Sequence, residues 1–466
     1  MNGKKLQEII KLNFSFQLTL EQEDTIKYLS KFVTSINNRS IFILKGYAGT
    51  GKTTLISALV KSLPLLNKRS VLMAPTGRAS KVLSKHSKKS ASTIHKKIYW
   101  IRTNKKGNTF IKLKDNTHSN TIFIVDEASM IAENLDKAFG NRSLLDDLIK
   151  YVYEGINCKL ILIGDKAQLP PVHLDLSPAL NVEILQENYD KQVICKELTQ
   201  VVRQNKKSLI LENATQLRDK IANNDYSYPK FLTNTEVIRI NTGEDLQEFL
   251  EKSYGSDDIN NTAIICRSNK RANQYNHQIR IKIRWQEDEI SAGDKLMVVR
   301  NNYFWLKEKK NEFIANGDII EVIKIKKIIE RYGFRFAKAS IRMIDYTDEK
   351  ELDVILLLDT LRSETPAITY EQYKKLYSEV GLDYKGEKEI NKKIKENQFF
   401  NALQIKFSYA ITCHKSQGGE WKNVFLDLGY FEEKMLDKSF LRWLYTAFTR
   451  ASQKLYLINF NNNFFR

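Results

Sequence analysis

The feature that most constrains this chain is a strand–turn–helix pattern at residues 41–60, which read IFILKGYAGTGKTTLISALV. An apolar strand leads into a glycine-rich turn, and an amphipathic helix follows. Gly46, Gly51, Lys52 and Thr53 match every specified position of the pattern G-x-x-x-x-G-K-[ST]. Glycines are needed there because the backbone wraps closely around phosphates with its N–H groups pointing inward. The pattern therefore predicts a phosphate-binding loop in an α/β fold.

The residue types in this loop predict ATP and Mg²⁺ as its ligands. The N-terminus of the helix adds a partial positive charge, Lys52 reaches the outer phosphates, and the Thr53 hydroxyl is a ligand for Mg²⁺. Gly49, Thr50 and Thr54 belong to the same turn and are predicted to contact the nucleotide. We therefore expect the nucleotide site to extend from Gly46 through Thr54.

A second apolar strand, within TIFIVDEASM (121–130), ends in two carboxylates. Asp126 is predicted to hold the Mg²⁺ together with Thr53, and Glu127 to position and deprotonate the attacking water. The alternative is a surface acidic pair that caps a helix. The phosphate-binding loop favours the metal and catalytic roles.

A third apolar run ends in GDKAQLPPV (164–172). Its loop is expected at the same carboxyl edge of the sheet, where α/β sheets bind their ligands. From there Gln168 is predicted to hydrogen-bond the γ-phosphate or the attacking water, while Pro170 and Pro171 stiffen the loop. The alternative is an ordinary strand-to-helix turn with a solvent-facing amide.

The net charge indicates which class of partner the chain binds. The 466 residues include 74 Lys and Arg against 55 Asp and Glu, a formal net charge of +19. This excess favours a polyanion as partner, with nucleic acid before an anionic membrane, although a lysine-rich genome also explains it.

The four cysteines form no C-x-x-C pair, so neither a zinc site nor disulfides are predicted. The sequence shows neither a secretory signal nor a long apolar run, so we expect a soluble, cytoplasmic protein without a membrane partner.

The motifs described above, with others in the same order along the chain, resemble those of superfamily 1 helicases. The further stretches are LTLEQ (18–22), APTGRAS (74–80), STIH (92–95), LTQVVRQ (198–204), ITCHKSQGGEW (411–421) and YTAFTRA (445–451). The first resembles the adenine-reading Q motif, with Gln22 as the bidentate amide. GDKAQLPPV, CHKSQG and TAFTRA look most like the branch with the Dda, RecD and Pif helicases, and especially the Dda type. Members of that branch move 5′ to 3′ on single-stranded DNA, and the resemblance implies this direction.

The resemblance also implies the fold class and its boundaries. It implies two RecA-like P-loop NTPase domains, with a β-hairpin inserted in the first and an SH3-like β-barrel plus helical extension inserted in the second. The expected boundaries are 1–95 and 121–187 for the first motor domain, 96–120 for the wedge hairpin, 188–287 and 401–466 for the second motor domain, and 288–400 for the barrel insertion. Alternating short strands with turn signals support the barrel, and polar helical stretches support the extension.

The resemblance implies that two arginines also belong to the ATP site. Arg203 and Arg450 are expected on the second motor domain, where an arginine at the γ-phosphate stabilises the transition-state charge. The alternative is that both arginines are exposed charges on the surface of helices. Gln168 and Glu420 would link the phosphate state to movement along the strand.

The family's nucleic-acid contacts map onto two groups of residues, namely Pro75, Thr76, Thr93 and His95, and Thr412, His414 and Lys415. Hydroxyl, imidazole and backbone N–H groups bind phosphates without reading sequence. Both histidines have the alternative of being core residues. In the hairpin, Trp100 and Phe110 are candidates for strand separation, by stacking on a base pair, or for packing on each other.

The sequence as a whole therefore predicts an ATP-dependent DNA helicase. It is expected to act as a monomer on single-stranded DNA and duplex junctions, with a single-strand-binding or replication protein as a possible partner. Two alternatives stay open: an RNA helicase or nucleoprotein remodeller with the same motor, and a non-catalytic single-strand-binding protein. The second conflicts with the complete set of Lys52, Asp126, Glu127, Arg203 and Arg450.

Overall fold

The computed structural model describes residues 3–37, 39–103, 109–132, 143–171, 174–202, 208–255, 257–306, 313–344, 351–365 and 367–466. The chain divides into two compact units. The first comprises Met1–Trp100 and Ile111–Leu211, and the second comprises Ile101–Phe110 and Glu212–Arg466. Within the described residues, no helix combines the length and the apolar character that crossing a bilayer requires.

A parallel sheet forms the centre of the first unit. From the N-terminus to Leu198 the strands are β1 (Ser40–Gly46), β2 (Arg69–Ala74), β3 (Ala91–Thr93), β4 (Tyr99–Thr103), β5 (Thr109–Leu113), β6 (Thr121–Val125), β7 (Lys159–Gly164) and β8 (Gln192–Leu198). The sheet has the order β3-β2-β6-β7-β1-β8, and all of its pairs are parallel. Parallel strands end at one edge, so the residues that follow β1, β6 and β7 lie at the same edge of the sheet.

Helices cover both faces of this sheet. They are α1 (Gly3–Leu12), α2 (Leu20–Thr34), α3 (Lys52–Ser62), α4 (Gly77–Ser87), α5 (Ile94–Ile98), α6 (Leu144–Glu154) and α7 (Val182–Glu187). Phe42 and Leu44 of β1 point into the core beneath α1–α4, whereas Ile41 and Ile43 point into the core beneath α5–α7. A strand buried on both faces is apolar at every position, which explains the continuous runs in the sequence.

The first domain boundary is later than the sequence indicated. The expected boundary after residue 187 assigns β8 to the second motor domain, but β8 pairs along its whole length with β1 in the first sheet. The compact first unit continues to Leu211. Strand pairing between distant segments decides this placement, and no local pattern in the sequence reports it.

The predicted hairpin is present as β4 and β5, which form a two-stranded sheet. Helix α5 continues to Ile98, so the hairpin begins at Tyr99. The Tyr99 hydroxyl donates to Asp147 of α6 at 2.9 Å and anchors the base of the hairpin. The predicted turn at 104–108 lies outside the described residues.

The second unit contains another parallel sheet. Its motor elements are α8 (Leu209–Ala222), β9 (Val237–Arg239), α9 (Gly243–Tyr254), β10 (Thr262–Cys266) and α10 (Asn269–Gln278), and, after the barrel insertion, β16 (Ala410–Thr412), α14 (Cys413–Ser416), β17 (Trp421–Asp427), α15 (Lys438–Phe448) and β18 (Ala451–Ile458). The sheet has the order β16-β10-β17-β18-β9 with parallel pairs throughout. The fold is therefore the expected α/β arrangement with two parallel sheets.

Between the two halves of this sheet lies a closed barrel. Its elements are β11 (Lys295–Val298), β12 (Ile319–Arg331), β13 (Phe334–Met343), β14 (Leu352–Leu357), α11 (Asp359–Arg362), α12 (Tyr370–Leu382), α13 (Ile390–Glu396) and β15 (Leu403–Phe407). Leu376, Val380 and Ile394 of α12 and α13 pack on the outside of the barrel against Phe334 and Phe336, so the predicted helical extension has its own core.

The second boundary also differs from the expectation. The chain was expected to re-enter the motor domain at residue 401, but β15 pairs with both β11 and β14 and closes the barrel. The insertion therefore extends to Phe407. An edge strand exposes unpaired backbone N–H and C=O groups. Pairing with β15 removes these edges, which is the physical reason why the barrel includes this strand.

Candidate ATP site and nucleic-acid contacts

The phosphate-binding loop has the tight backbone that its glycines predicted. Gly49 and Gly51 have φ values of +78° and +83°, which residues with a side chain rarely adopt. A Cβ atom at Gly46 would lie 2.9 Å from the Thr50 hydroxyl and 3.1 Å from the Lys52 side chain. The loop thus leaves no room for side chains at these glycines.

Lys52 begins helix α3 at the mouth of this loop. Its ammonium donates to the carbonyls of Gly46 at 2.6 Å and Tyr47 at 2.8 Å. Thr53 and Thr54 follow in the first turn and are half-buried. The cation and the two hydroxyls therefore occupy the same helix N-terminus, where the backbone also favours anions.

Asp126 and Glu127 directly follow β6, as predicted. The Asp126 carboxylate accepts from the Glu127 backbone N–H at 2.9 Å. Burial raises the pKa of Asp126, while that N–H and the positive charge of Lys52 lower it in part. Because β6 and β1 lie parallel on either side of β7, the two motifs follow at the same edge of the sheet.

Glu127 has an unusual backbone conformation. Its φ of 54° and ψ of 36° lie in the left-handed region, which is uncommon for residues other than glycine. Such strain persists where the surrounding structure imposes it, and it concentrates at functional sites. Here Asp126 N–H donates to Met73 at 3.0 Å, and the Ser177 hydroxyl donates to Ala128 at 2.8 Å, so both sides of Glu127 are held.

Gln168 lies in the loop after β7, which is the strand between β6 and β1. Asp165 shapes the loop by accepting from the Ala167 N–H at 2.9 Å. Gln168 is only 7% exposed, so the alternative of a solvent-facing amide is wrong. Among the residues that the structure describes, its Oε1 atom is buried and has no hydrogen-bond partner. A buried acceptor without a partner is costly, and a ligand or water donor at the site would satisfy it.

Gln22 makes contacts that the sequence did not predict. Its side-chain oxygen accepts from the Thr19 N–H at 3.1 Å, and its amide donates to the Thr50 carbonyl at 3.0 Å. Thr19 in turn accepts from the Gln22 N–H, which completes a capping box at the start of α2. Gln22 thereby attaches α2 to the phosphate-binding loop, and the predicted adenine contact stays a prediction.

The segment after β8 also packs on the loop. The Val202 N–H donates to the Gly49 carbonyl at 3.0 Å, and Val201 lies 3.2 Å from the position of a Cβ at Gly49. These residues belong to the first unit, so the expectation that this motif sits on the second motor domain is wrong for them. Arg203 itself lies outside the described residues.

Arg450 follows α15 in the second unit and is 5% exposed. Its guanidinium donates to the carbonyls of Thr446 at 3.0 Å and Gly419 at 3.2 Å and to the Thr449 hydroxyl at 3.1 Å. The alternative of an exposed helix charge is therefore wrong. Glu420 is exposed and directly follows Gly419, so the two predicted residues are neighbours.

The predicted contacts of the first unit lie at the ends of β2 and β3. These strands are adjacent, with Ala74 opposite Thr93, so Pro75, Thr76 and His95 follow at the same edge. The hydroxyls of Thr76 and Thr93 accept from backbone N–H groups and cap α4 and α5. Each hydroxyl keeps a hydrogen to donate, so capping is compatible with a phosphate contact. His95 is half-buried with its ring 5.8 Å from that of Tyr99.

Thr412 is the N-cap of α14 in the second unit, and His414 and Lys415 lie within this helix. Thr412 and Lys415 line a shallow groove together with residues that the sequence analysis missed: Asn269, Asn273, Asn276 and Lys406. Burial, together with the charge of Lys415, lowers the pKa of Lys406 to about 8. The missed asparagines recur at helical spacing in SNKRANQYN, a polar signal that resembles an ordinary solvated helix. His414 is exposed, so the core alternative is wrong for it.

Of the two strand-separation candidates, Trp100 is described and the side chain of Phe110 is not. Trp100 is 36% exposed, and the ammonium of Lys114 lies 4.9 Å from its ring centre. The predicted role in strand separation stays a prediction for both residues.

Comparisons with known proteins agree with this arrangement. The profile of an AAA domain matches residues 17–228, and that of a UvrD-like helicase C-terminal domain matches residues 407–458. The chain is 27% identical over 309 residues to the ATP-dependent DNA helicase Dda of Enterobacteria phage T4, covering 64% of each protein. It is 26% identical over 495 residues to the RecD subunit of the RecBCD enzyme of Buchnera aphidicola subsp. Schizaphis graminum, covering 95% of this chain and 74% of RecD.

A solved structure shows the same fold. A Pif1 helicase from a study of DNA unwinding at forked duplex DNA superposes with a TM-score of 0.50 at 16% identity, over 97% of this chain and 94% of that one. The fold and the site thus define a P-loop NTPase with tandem RecA-like domains. In sequence, the chain is similar to helicases of the Dda and RecD type, and two helicase-related domain profiles match parts of it.

Proposed function

We propose that this chain is an ATP-dependent DNA helicase that moves 5′ to 3′ along single-stranded DNA and unwinds duplex DNA. The observation that carries the proposal is the arrangement at one sheet edge of Lys52, Asp126, Glu127 and Gln168, whose buried Oε1 atom has no partner among the described residues. The relative Dda is an ATP-dependent DNA helicase, which supports DNA as the substrate. An RNA helicase or remodeller on the same motor is not favoured by these matches.

Each residue of the site has a chemical role in hydrolysis. Lys52 and the N–H groups of the phosphate-binding loop bind the outer phosphates of ATP and stabilise the charge that develops there. Glu127 orients the attacking water and accepts its proton. Gln168 donates or accepts a hydrogen bond at the γ-phosphate or the water, so its contacts differ before and after hydrolysis.

The residues present also fit a magnesium ion. Mg²⁺ is commonly held by one or two carboxylates together with substrate phosphates, and Asp126 and the Thr53 hydroxyl supply oxygen ligands of this kind. When bound, the ion neutralises phosphate charge. Burial disfavours the charged form of the Asp126 carboxyl, and a bound cation would offset that cost.

Substituting Gln168 by alanine tests the coupling of the motor. We expect single-stranded DNA to stimulate ATP hydrolysis about 10-fold less than in the unaltered chain, because Gln168 responds to the terminal phosphate. The affinity for ATP should change much less. Steady-state ATPase assays with and without a single-stranded oligonucleotide measure the stimulation by DNA. Equilibrium nucleotide binding measures the affinity for ATP. Equal losses in both would exclude the sensor role.

Strand displacement on tailed duplexes tests the direction of movement. A duplex with a 5′ single-stranded tail is expected to be unwound with ATP, and the same duplex with a 3′ tail is not, because the proposed motor loads on the tail and moves 5′ to 3′. Preference for the 3′ tail would keep the helicase and reject the direction. Stronger ATPase activation by an RNA oligonucleotide than by DNA would instead support the RNA alternative.

The remaining assignments belong to the same proposal. The two groups of predicted nucleic-acid contacts, at the ends of β2 and β3 and around α14, would bind the strand backbone. The hairpin β4–β5 would separate the strands. A single-strand-binding or replication protein as partner and a monomeric state stay predictions.

A further inference from the structure

Three lysines lie on the outer face of the barrel, and among the described residues none of them has an ion-pair partner. Lys327 of β12 is directly opposite Lys338 of β13, and Lys324 is opposite Ser340 in the same ladder. Alternate residues of β13, including Ala337 and Ala339, point into the barrel core, so Lys338 and its partner point outward. All three lysines are exposed, and among the described residues none forms an ion pair or a hydrogen bond.

This pairing is unfavourable for the isolated protein. Like charges directly opposite each other in an antiparallel pair destabilise a sheet. Other charged residues nearby are neutralised, since Lys326 pairs with Asp353 at 2.6 Å and Arg342 pairs with Glu321 at 2.6 Å. The uncompensated lysines therefore stand out on a face whose other charges are matched, and an anionic partner would remove their repulsion.

We propose that this patch, defined by Lys324, Lys327 and Lys338, binds the phosphate backbone of duplex DNA. A duplex presents one negative charge per about 1.7 Å along its axis, so it suits a cluster of point charges. Surfaces that bind single strands usually add aromatic rings on which bases stack. The aromatic residues of β13, Phe334 and Phe336, are instead buried under α12 and α13. The patch therefore offers charge without stacking, which favours the duplex.

The inference rests on the proposed function in its choice of DNA as partner, but it is tested without ATP. The variant is Lys327→Gln with Lys338→Gln, and the probe is a blunt-ended DNA duplex titrated at several salt concentrations. A matched control is Lys392→Gln with Lys393→Gln on α13, which removes the same charge from lysines already paired with Glu389 and Glu387. The control separates a local contact from a general loss of net charge.

The expected result is weaker duplex binding by the patch variant alone. The slope of log affinity against log salt should become shallower by up to about 1.8, since each phosphate contact contributes about 0.9. Affinity for a single-stranded oligonucleotide and the ATPase activity that it stimulates should stay unchanged. An unchanged duplex slope, or an equal loss on the single strand, would overturn the proposal.

A charge reversal provides a second readout. Lys338→Glu places a carboxylate opposite Lys327, so the thermal midpoint of unfolding should rise while duplex affinity falls below that of the Gln variant. A lower midpoint with weaker binding would mean that the lysines serve only the fold, and would overturn the proposal. Strand displacement is measured separately. A chain that binds duplex through these lysines but does not unwind it would contradict the proposed function alone.

Discussion

Replacing Glu127 by glutamine is expected to lower kcat for ATP hydrolysis by about 10²–10⁴-fold, the usual contribution of a general base. The amide has nearly the same shape and leaves the left-handed backbone at this position unchanged, but it cannot accept the proton of the attacking water. Binding of ATP should be retained, because the phosphates are held by the loop and not by this side chain. Single-turnover ATPase assays together with equilibrium nucleotide binding measure the two effects.

A matched control is Glu183→Gln, which removes a carboxylate from the first turn of α7 in the same unit. It should hydrolyse ATP at the normal rate. If Glu127→Gln also hydrolysed ATP at the normal rate, the base would have to be a different residue, and the catalytic role assigned to Glu127 would be wrong.

Replacing Lys52 by alanine is expected to reduce ATP hydrolysis by about 10²–10³-fold, the loss typical of one preorganised donor at a developing charge. The ammonium now donates to the carbonyls of Gly46 and Tyr47, so it is already placed at the mouth of the loop. Affinity for single-stranded DNA without nucleotide should stay nearly unchanged, because the predicted strand contacts lie on other loops. ATPase assays and oligonucleotide binding by fluorescence anisotropy measure both.

The control for this substitution is Lys61→Ala, at the exposed end of the same helix. It changes the net charge equally and should leave hydrolysis intact. Normal hydrolysis by Lys52→Ala would show that the phosphate-binding loop is not the ATP site.

Much of the site could be read from contiguous residues. The loop from Gly46 to Thr53 is a local structure, in which the glycines allow backbone conformations and close approaches that a side chain would prevent. Asp126 and Glu127 could be placed because a buried strand of a parallel sheet ends at a known edge. For Gln168 the sequence indicated the position, but its burial and its unpartnered oxygen emerged only from the packing of the loop.

Other features depend on contacts between distant residues, and sequence reasoning misplaced or missed them. The late boundary at Leu211 follows from the pairing of β8 with β1, and the longer barrel follows from the pairing of β15 with β11 and β14. The contacts of Gln22 with Thr19 and Thr50 were missed as well, while its predicted adenine contact stays a prediction.

The sequence by itself therefore determined the class of this protein, because phosphate binding and its catalytic carboxylates are encoded in short, ordered motifs with their own local geometry. Only the tertiary structure decided where each unit ends, which strand closes the barrel, and that Lys327 is opposite Lys338. The physical reason is that strand register and closure are set by hydrogen bonds and packing between segments far apart in the chain, and these energies leave no mark in any single stretch of sequence.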